Sequence, residues 1–96
     1  MSLHIEGRRW FQRSAGNTYH SARIYQDGEC VYNSGVHYGY GEQFLQTAWE
    51  WLAANGHPEL AERHDNGSPK HYGTQYLREV LGGSYSVTDV AARKEL

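Results

Sequence analysis

Between Gln43 and Ala54 apolar residues recur at helical spacing, and this segment constrains the fold more than any other. At 100° per residue, Trp51, Phe44, Ala48, Leu52, Leu45 and Trp49 fall within one arc of roughly 160°, opposite Gln46, Glu50 and Gln43. Asn55-Gly56 supplies a left-handed stop, with Pro58 just beyond. A helix with one apolar stripe needs an apolar layer beneath it. In a chain of 96 residues that layer comes from a single domain, residues 1–96, whose core is one layer pairing.

The layer is supplied upstream. Asp27-Gly28 separates two β-prone segments, Thr18 to Gln26 and Glu29 to Ser34, which is a strong hairpin signal. With Gln26 facing Glu29, Ile24 is expected opposite Val31 and Ala22 opposite Asn33 on one face, the face for the helix. Tyr25 then meets Cys30, and Arg23 meets Tyr32, on the other. That second face, with Tyr19, is amphipathic. An earlier segment, Arg8 to Arg13, is expected to pair with Thr18 to Gln26 across Ala15-Gly16-Asn17.

Downstream, His57 to Gly67 reads as a mobile polar loop with a short helical turn around Leu60. Ser68-Pro69 reads as the start of a second helix, faced by Tyr72, Tyr76, Leu77, Val80 and Leu81 and ended by Gly82-Gly83. Ser84 to Val90 has strand character, and Ala91 to Leu96 is a charged tail. The order β-β-β-α-α-β predicts an α+β fold: an antiparallel sheet of three to four strands with two helices packed on one face.

Composition narrows the function. No apolar run approaches the roughly 18 residues a membrane helix needs, and the first residues lack the apolar core of a secretory signal. Cys30, the one cysteine, has no partner for an internal disulfide, which fits a reducing cytoplasm. The net charge of −2 is unevenly placed, at +3 over residues 1–25, −6 over 26–65 and +1 over 66–96. Such a balance suits a charged partner and argues against a nucleic-acid coat. Eight Tyr and three Trp are many for this length, and aromatic groups with polar handles concentrate at interfaces.

The residues that carry chemistry are few. Tyr38-Gly39-Tyr40-Gly41 opens the first helix, where free N–H groups attract an anion and the tyrosines can stack on a base. Glu42 opposes that charge, no Lys or Ser/Thr follows as in a phosphate loop, and a structural turn is the alternative reading. His57, His64 and His71 are spaced by seven rather than by the three to five of a helical metal pair, so no metal or cofactor is expected. His20 shares the face of Ile24 and reads as a hydrogen-bonded, partly buried histidine, whereas His37 beside Tyr38 is a contact candidate. Cys30 lies next to Glu29, which disfavours the thiolate, and no nucleophile with an oriented base is evident, so an enzyme is not expected. The candidate binding residues are therefore Arg23, Tyr25, Tyr32, His37, Tyr38, Gly39, Tyr40 and Gly41.

Three segments carry a family likeness. Gly16-Asn17-Thr18-Tyr19-His20-Ser21, then Tyr38-Gly39-Tyr40-Gly41 with Gln46-Thr47-Ala48, then Val87-Thr88-Asp89-Val90 through Arg93-Lys94-Glu95-Leu96 resemble small proteins encoded by bacteriophages and prophages. The likeness spans most of the chain apart from His57 to Pro69. It implies an accessory protein made in an infected bacterium, a class that includes inhibitors of host defence such as anti-CRISPR proteins. The expected partner is a host protein or protein complex. A nucleotide signal held at Tyr38 to Gly41 and a homodimer are the alternatives.

Overall fold

The computed structural model describes residues 2–96. Strands β1 (Leu3–Gln12), β2 (Asn17–Gln26), β3 (Glu29–Asn33) and β4 (His37–Tyr38) precede helix α1 (Gln43–Ala54). A 3-10 turn (Pro58–Ala61), helix α2 (Thr74–Glu79), strand β5 (Gly83–Asp89) and a 3-10 turn (Arg93–Glu95) follow. The fold is α+β. One sheet runs β3-β2-β1-β5, and β4 pairs with β2 beyond the end of β3.

β5 runs parallel to β1, so the sheet is mixed rather than purely antiparallel. Parallel neighbours need a crossover, and the segment holding α1 and α2 provides it. The turn Asp27-Gly28 is built as the sequence predicts, with φ of 53° and 82°, the paired positive angles of a type I′ hairpin.

Along β1, Leu3, Ile5 and Gly7 point toward α1; along β2, His20, Ala22 and Ile24 do. The helix answers with Phe44, Leu45, Ala48, Trp49 and Leu52, all buried, while Leu60 and Leu77 close the ends. Burying each large apolar side chain stabilises the fold by about 1.5–3 kcal/mol. Gly7 is required by contact: a Cβ there would stand within 2.5 Å of Phe44 Cγ, so the Phe44 ring lies directly on the β1 backbone.

The β2–β3 register departs from expectation. Gln26 faces Glu29 and Tyr25 faces Cys30, but Ile24 then faces Tyr32 and Arg23 faces Asn33. Val31 is the extra residue of a β-bulge, and the slip moves Tyr32 onto the helix side. There its ring stacks on Trp51, with centroids 5.3 Å apart. Burying the larger ring against Trp51 outweighs regular pairing for Val31.

The second helix begins later than Ser68-Pro69 suggests. Pro69 instead bridges Arg63, and the segment before α2 closes on itself through His64 N–H to Ser68 O (2.8 Å), Gly67 N–H to His64 O (2.9 Å) and Lys70 N–H to Glu62 O (3.1 Å). The expected mobile loop is therefore a hydrogen-bonded one anchored by buried Leu60.

Candidate functional site

The face of the sheet turned away from the helices carries His4, Glu6, Arg8 and Trp10 from β1 and Tyr19, Ser21, Arg23 and Tyr25 from β2. At one end three aromatic residues occupy a single cross-strand row, Trp10 opposite Tyr19 and Tyr19 opposite Tyr38. Trp10 and Tyr19 stack, with centroids 5.8 Å apart and planes at 26°; Tyr38 meets Tyr19 edge to face at 5.7 Å. Tyr38 is 64% exposed. The short β4 strand holds it there, since Gly39 N–H donates to Thr18 O (3.0 Å) immediately after it.

Behind this ladder, β4 is locked from the helix side. Buried His20 donates from Nδ1 to the Gly39 carbonyl (3.2 Å), which leaves Nε2 to accept from the Thr47 hydroxyl of α1 (2.8 Å). The His37 ring stacks on His20 at 5.7 Å. Burial pushes the His20 pKa below its ordinary 6.5, with the His37 charge adding to the effect and the Gly39 hydrogen bond opposing it. Gly39 holds a φ of 148°, which favours glycine, and the Gln43 side chain lies over it.

Around the corner of the same sheet end, Arg9, Phe11, Arg13, Tyr40, Gly41 and Asp89 line a groove of about 790 Å³. Phe11 and Tyr40 are 54% and 72% exposed. The Arg9 guanidinium is already engaged, from Nε to Asp89 Oδ1 (3.0 Å) and from Nη1 to Gly41 O (3.2 Å).

In the middle of the open face, Glu6 lies between Arg8 Nε (3.3 Å) and Arg23 Nη1 (4.0 Å). The tail folds over this cluster: Arg8 Nη1 donates to Glu95 O (2.9 Å) and Arg23 Nη2 to Leu96 O (2.8 Å). Glu95 Oε2 accepts from Ala91 and Ala92 N–H at the start of that turn. Arg23 also donates to Ser21 Oγ (3.1 Å), so both of its terminal nitrogens are engaged inside the molecule.

The eight residues singled out from sequence therefore divide. Tyr38 joins the ladder; Tyr40 and Gly41 border the groove; His37 and Gly39 form the support between them. Tyr25 stays on the open face near His4, while Arg23 is tied under the tail and Tyr32 lies on the opposite side of the sheet. Trp10 was absent from that set, as were Phe11 and Arg9. The missing signal was the register of the first hairpin, which pairs Trp10 with Tyr19 across a turn whose length the sequence leaves open. His57 and His71 sit beside Glu59 and Glu62, and no group of three or more His, Cys, Asp or Glu is placed to hold a metal among the described residues.

No family model, curated protein sequence or solved structure matches this chain.

Proposed function

We propose that this chain is a non-catalytic binding protein that engages and inhibits a macromolecule of a bacterial host through the Trp10–Tyr19–Tyr38 ladder. One observation carries the reading: three aromatic rings from three adjacent strands stand in one row, Trp10 stacked on Tyr19 and Tyr38 edge-on to it, with Tyr38 largely exposed. Rigid aromatic residues give large contact area at small entropic cost, and Trp and Tyr dominate binding hot spots. The likeness to phage and prophage accessory proteins supports a host protein or protein complex as target, a defence component in particular.

The test begins with capture from host lysate on the immobilised chain, with Tyr38→Ala and Trp10→Ala alongside. Each substitution is expected to weaken the captured complex by about 2 kcal/mol or more, roughly thirtyfold, without moving the melting temperature of the Tyr38 variant. Equal capture by the parent and both variants would remove the ladder as the working surface.

The Phe11–Tyr40 groove supports a second reading, sequestration of a phosphate-bearing nucleotide with one base between the two rings and Arg13 at the phosphate. Asp89 and the committed Arg9 weigh against it. Calorimetric titration with nucleotides and cyclic dinucleotides separates the readings, because only the groove reading expects heat that Arg13→Ala abolishes.

A further inference from the structure

The two edges of the sheet are built differently. On one side the edge is divided between a bulged β3 of five residues and a β4 of two, both poor templates for pairing. On the other side β5 (Gly83–Asp89) pairs, among the described residues, with β1 alone, and beyond buried Gly83 its outer edge is open over the six residues Ser84 to Asp89. Every β5 residue after Gly83 is exposed. The strand has no Pro, no Lys, no bulge and only one charge. The tail does not shield it, since Glu95 and Leu96 are drawn the other way, over β1 and β2.

The direction of the free groups follows from one bond. Val90 N–H donates inward to Arg9 O (2.7 Å), so by strand alternation Ser84, Ser86 and Thr88 turn their backbone groups toward β1. Gly83, Tyr85, Val87 and Asp89 turn theirs outward. A second β5 laid antiparallel about Ser86 pairs Gly83 with Asp89, Ser84 with Thr88, Tyr85 with Val87, and Ser86 with itself. That register makes Tyr85 and Val87 hydrogen-bonded pairs on both sides of the axis, with buried Gly83 marking the end of the paired stretch.

The side chains agree with the backbone. On the open face Ser and Thr hydroxyls meet across the pair; on the helix side Tyr85 meets Val87 twice, an aromatic with a β-branched residue. Both are 37% exposed and sit where the helices leave β5 uncovered. The single charge, Asp89, faces Gly83 rather than its own copy and is paired with Arg9 at 3.0 Å. No like charges oppose each other.

We propose that β5 docks a second copy of this chain, edge to edge and antiparallel, joining two sheets into one continuous sheet about a two-fold axis at Ser86. An isologous contact of this kind closes after two chains and does not propagate. The aromatic ladders of both copies then face the same side. The inference is independent of what the ladder binds, because β5 lies across β1 from Tyr19 and Tyr38.

The test is sedimentation equilibrium on the whole chain with a charge swap at the axis. One strand pair plus Tyr85 and Val87 is a small interface, so dissociation on the order of micromolar is expected for the parent. Ser86→Lys and Ser86→Glu each set like charges opposite each other and should raise the dissociation constant about tenfold or more. Mixed in equal amounts they should recover dimer. Val87→Pro is the second arm: it deletes an outward N–H that β1 does not use, so it should melt cooperatively as a monomer. A parent that stays monomeric up to about 1 mM overturns the proposal. So do single Ser86 variants that dimerise like the parent, a mixture that does not, or Val87→Pro dimerising at parental strength.

Discussion

Gly7 and Phe44 form the most sharply testable contact in the core. Alanine at position 7 places a methyl group inside the ring's volume, within 2.5 Å of Cγ and 2.9 Å of Cδ1. The ring cannot retreat, because Phe44 is fully enclosed beside Ile5, Leu45 and Ala48. Overpacking of this kind costs about 1–3 kcal/mol, and relief of the glycine backbone entropy in a strand returns about 0.5–1 kcal/mol. Gly7→Ala should therefore lose about 1–2 kcal/mol. Phe44→Ala should lose about 3–5 kcal/mol, leaving a space large enough for the new methyl group. In that background Gly7→Ala should turn neutral or stabilising, a coupling of about 2 kcal/mol. Urea denaturation of the four chains of the cycle, at unchanged m-value, measures it. Should Phe44→Ala be too unstable to titrate, Phe44→Val makes the same cycle. Additivity within about 0.5 kcal/mol, or a Gly7→Ala variant as stable as the parent, would show that the ring does not rest on β1.

Other outcomes follow from the same structure. Because burial holds His20 neutral, its contribution to stability is complete above its unfolded value of 6.5 and is lost as pH falls from there through the depressed folded value. Melting temperatures of the parent should drop across that interval, and His20→Gln should flatten the profile; a parent with no slope there would contradict the buried, hydrogen-bonded ring. Tyr32→Ala should cost about 1–2 kcal/mol more than Val31→Ala, since only Tyr32 stacks on Trp51, and the reverse order in denaturant midpoints would restore the unbulged register. Gly28→Val, at φ 82°, should cost about 1–2 kcal/mol or more in thermal melts, and parental stability would rule out the type I′ turn.

What was legible in the chain was what neighbours in sequence decide. Helix α1, its inward set and the Asp27-Gly28 turn depend on local periodicity and on one dipeptide, and all stand as read. The bulge at Val31 was hidden because it is decided by Trp51, a residue of α1 that selects Tyr32 over its neighbour. The pairing of β5 with β1 leaves no local trace either. Ser84, Ser86 and Thr88 could have faced any polar layer, and only the fold shows His4 bridging the two serine hydroxyls at 2.7 and 3.0 Å. Pro69 misled for a related reason: its ring suits a first helical turn, yet a bridge to Arg63 satisfies the loop and leaves α2 to start after Gly73 at φ 104°. The ladder is half legible, since Tyr19 and Tyr38 lie in separate segments and the register that joins them to Trp10 is a tertiary fact.

The place of β1 in the sheet sets the order in which the chain can fold during synthesis. Its β2 neighbour follows after one short turn, but its other neighbour lies 80 residues further on, where His4 meets Ser84. At 5–20 residues per second that interval is about 4–16 s. For the first part of it the N-terminal hairpin lacks α1, which is complete only at Ala54, and throughout it one flank of Leu3 and Ile5 has no strand beside it. Closing such a distant contact is slow, so the nascent chain offers a sticky ribbon before it offers a protein. Expression at lower temperature, or with abundant ribosome-bound chaperone, should raise soluble yield more for this topology than for one whose central strand finds both partners early.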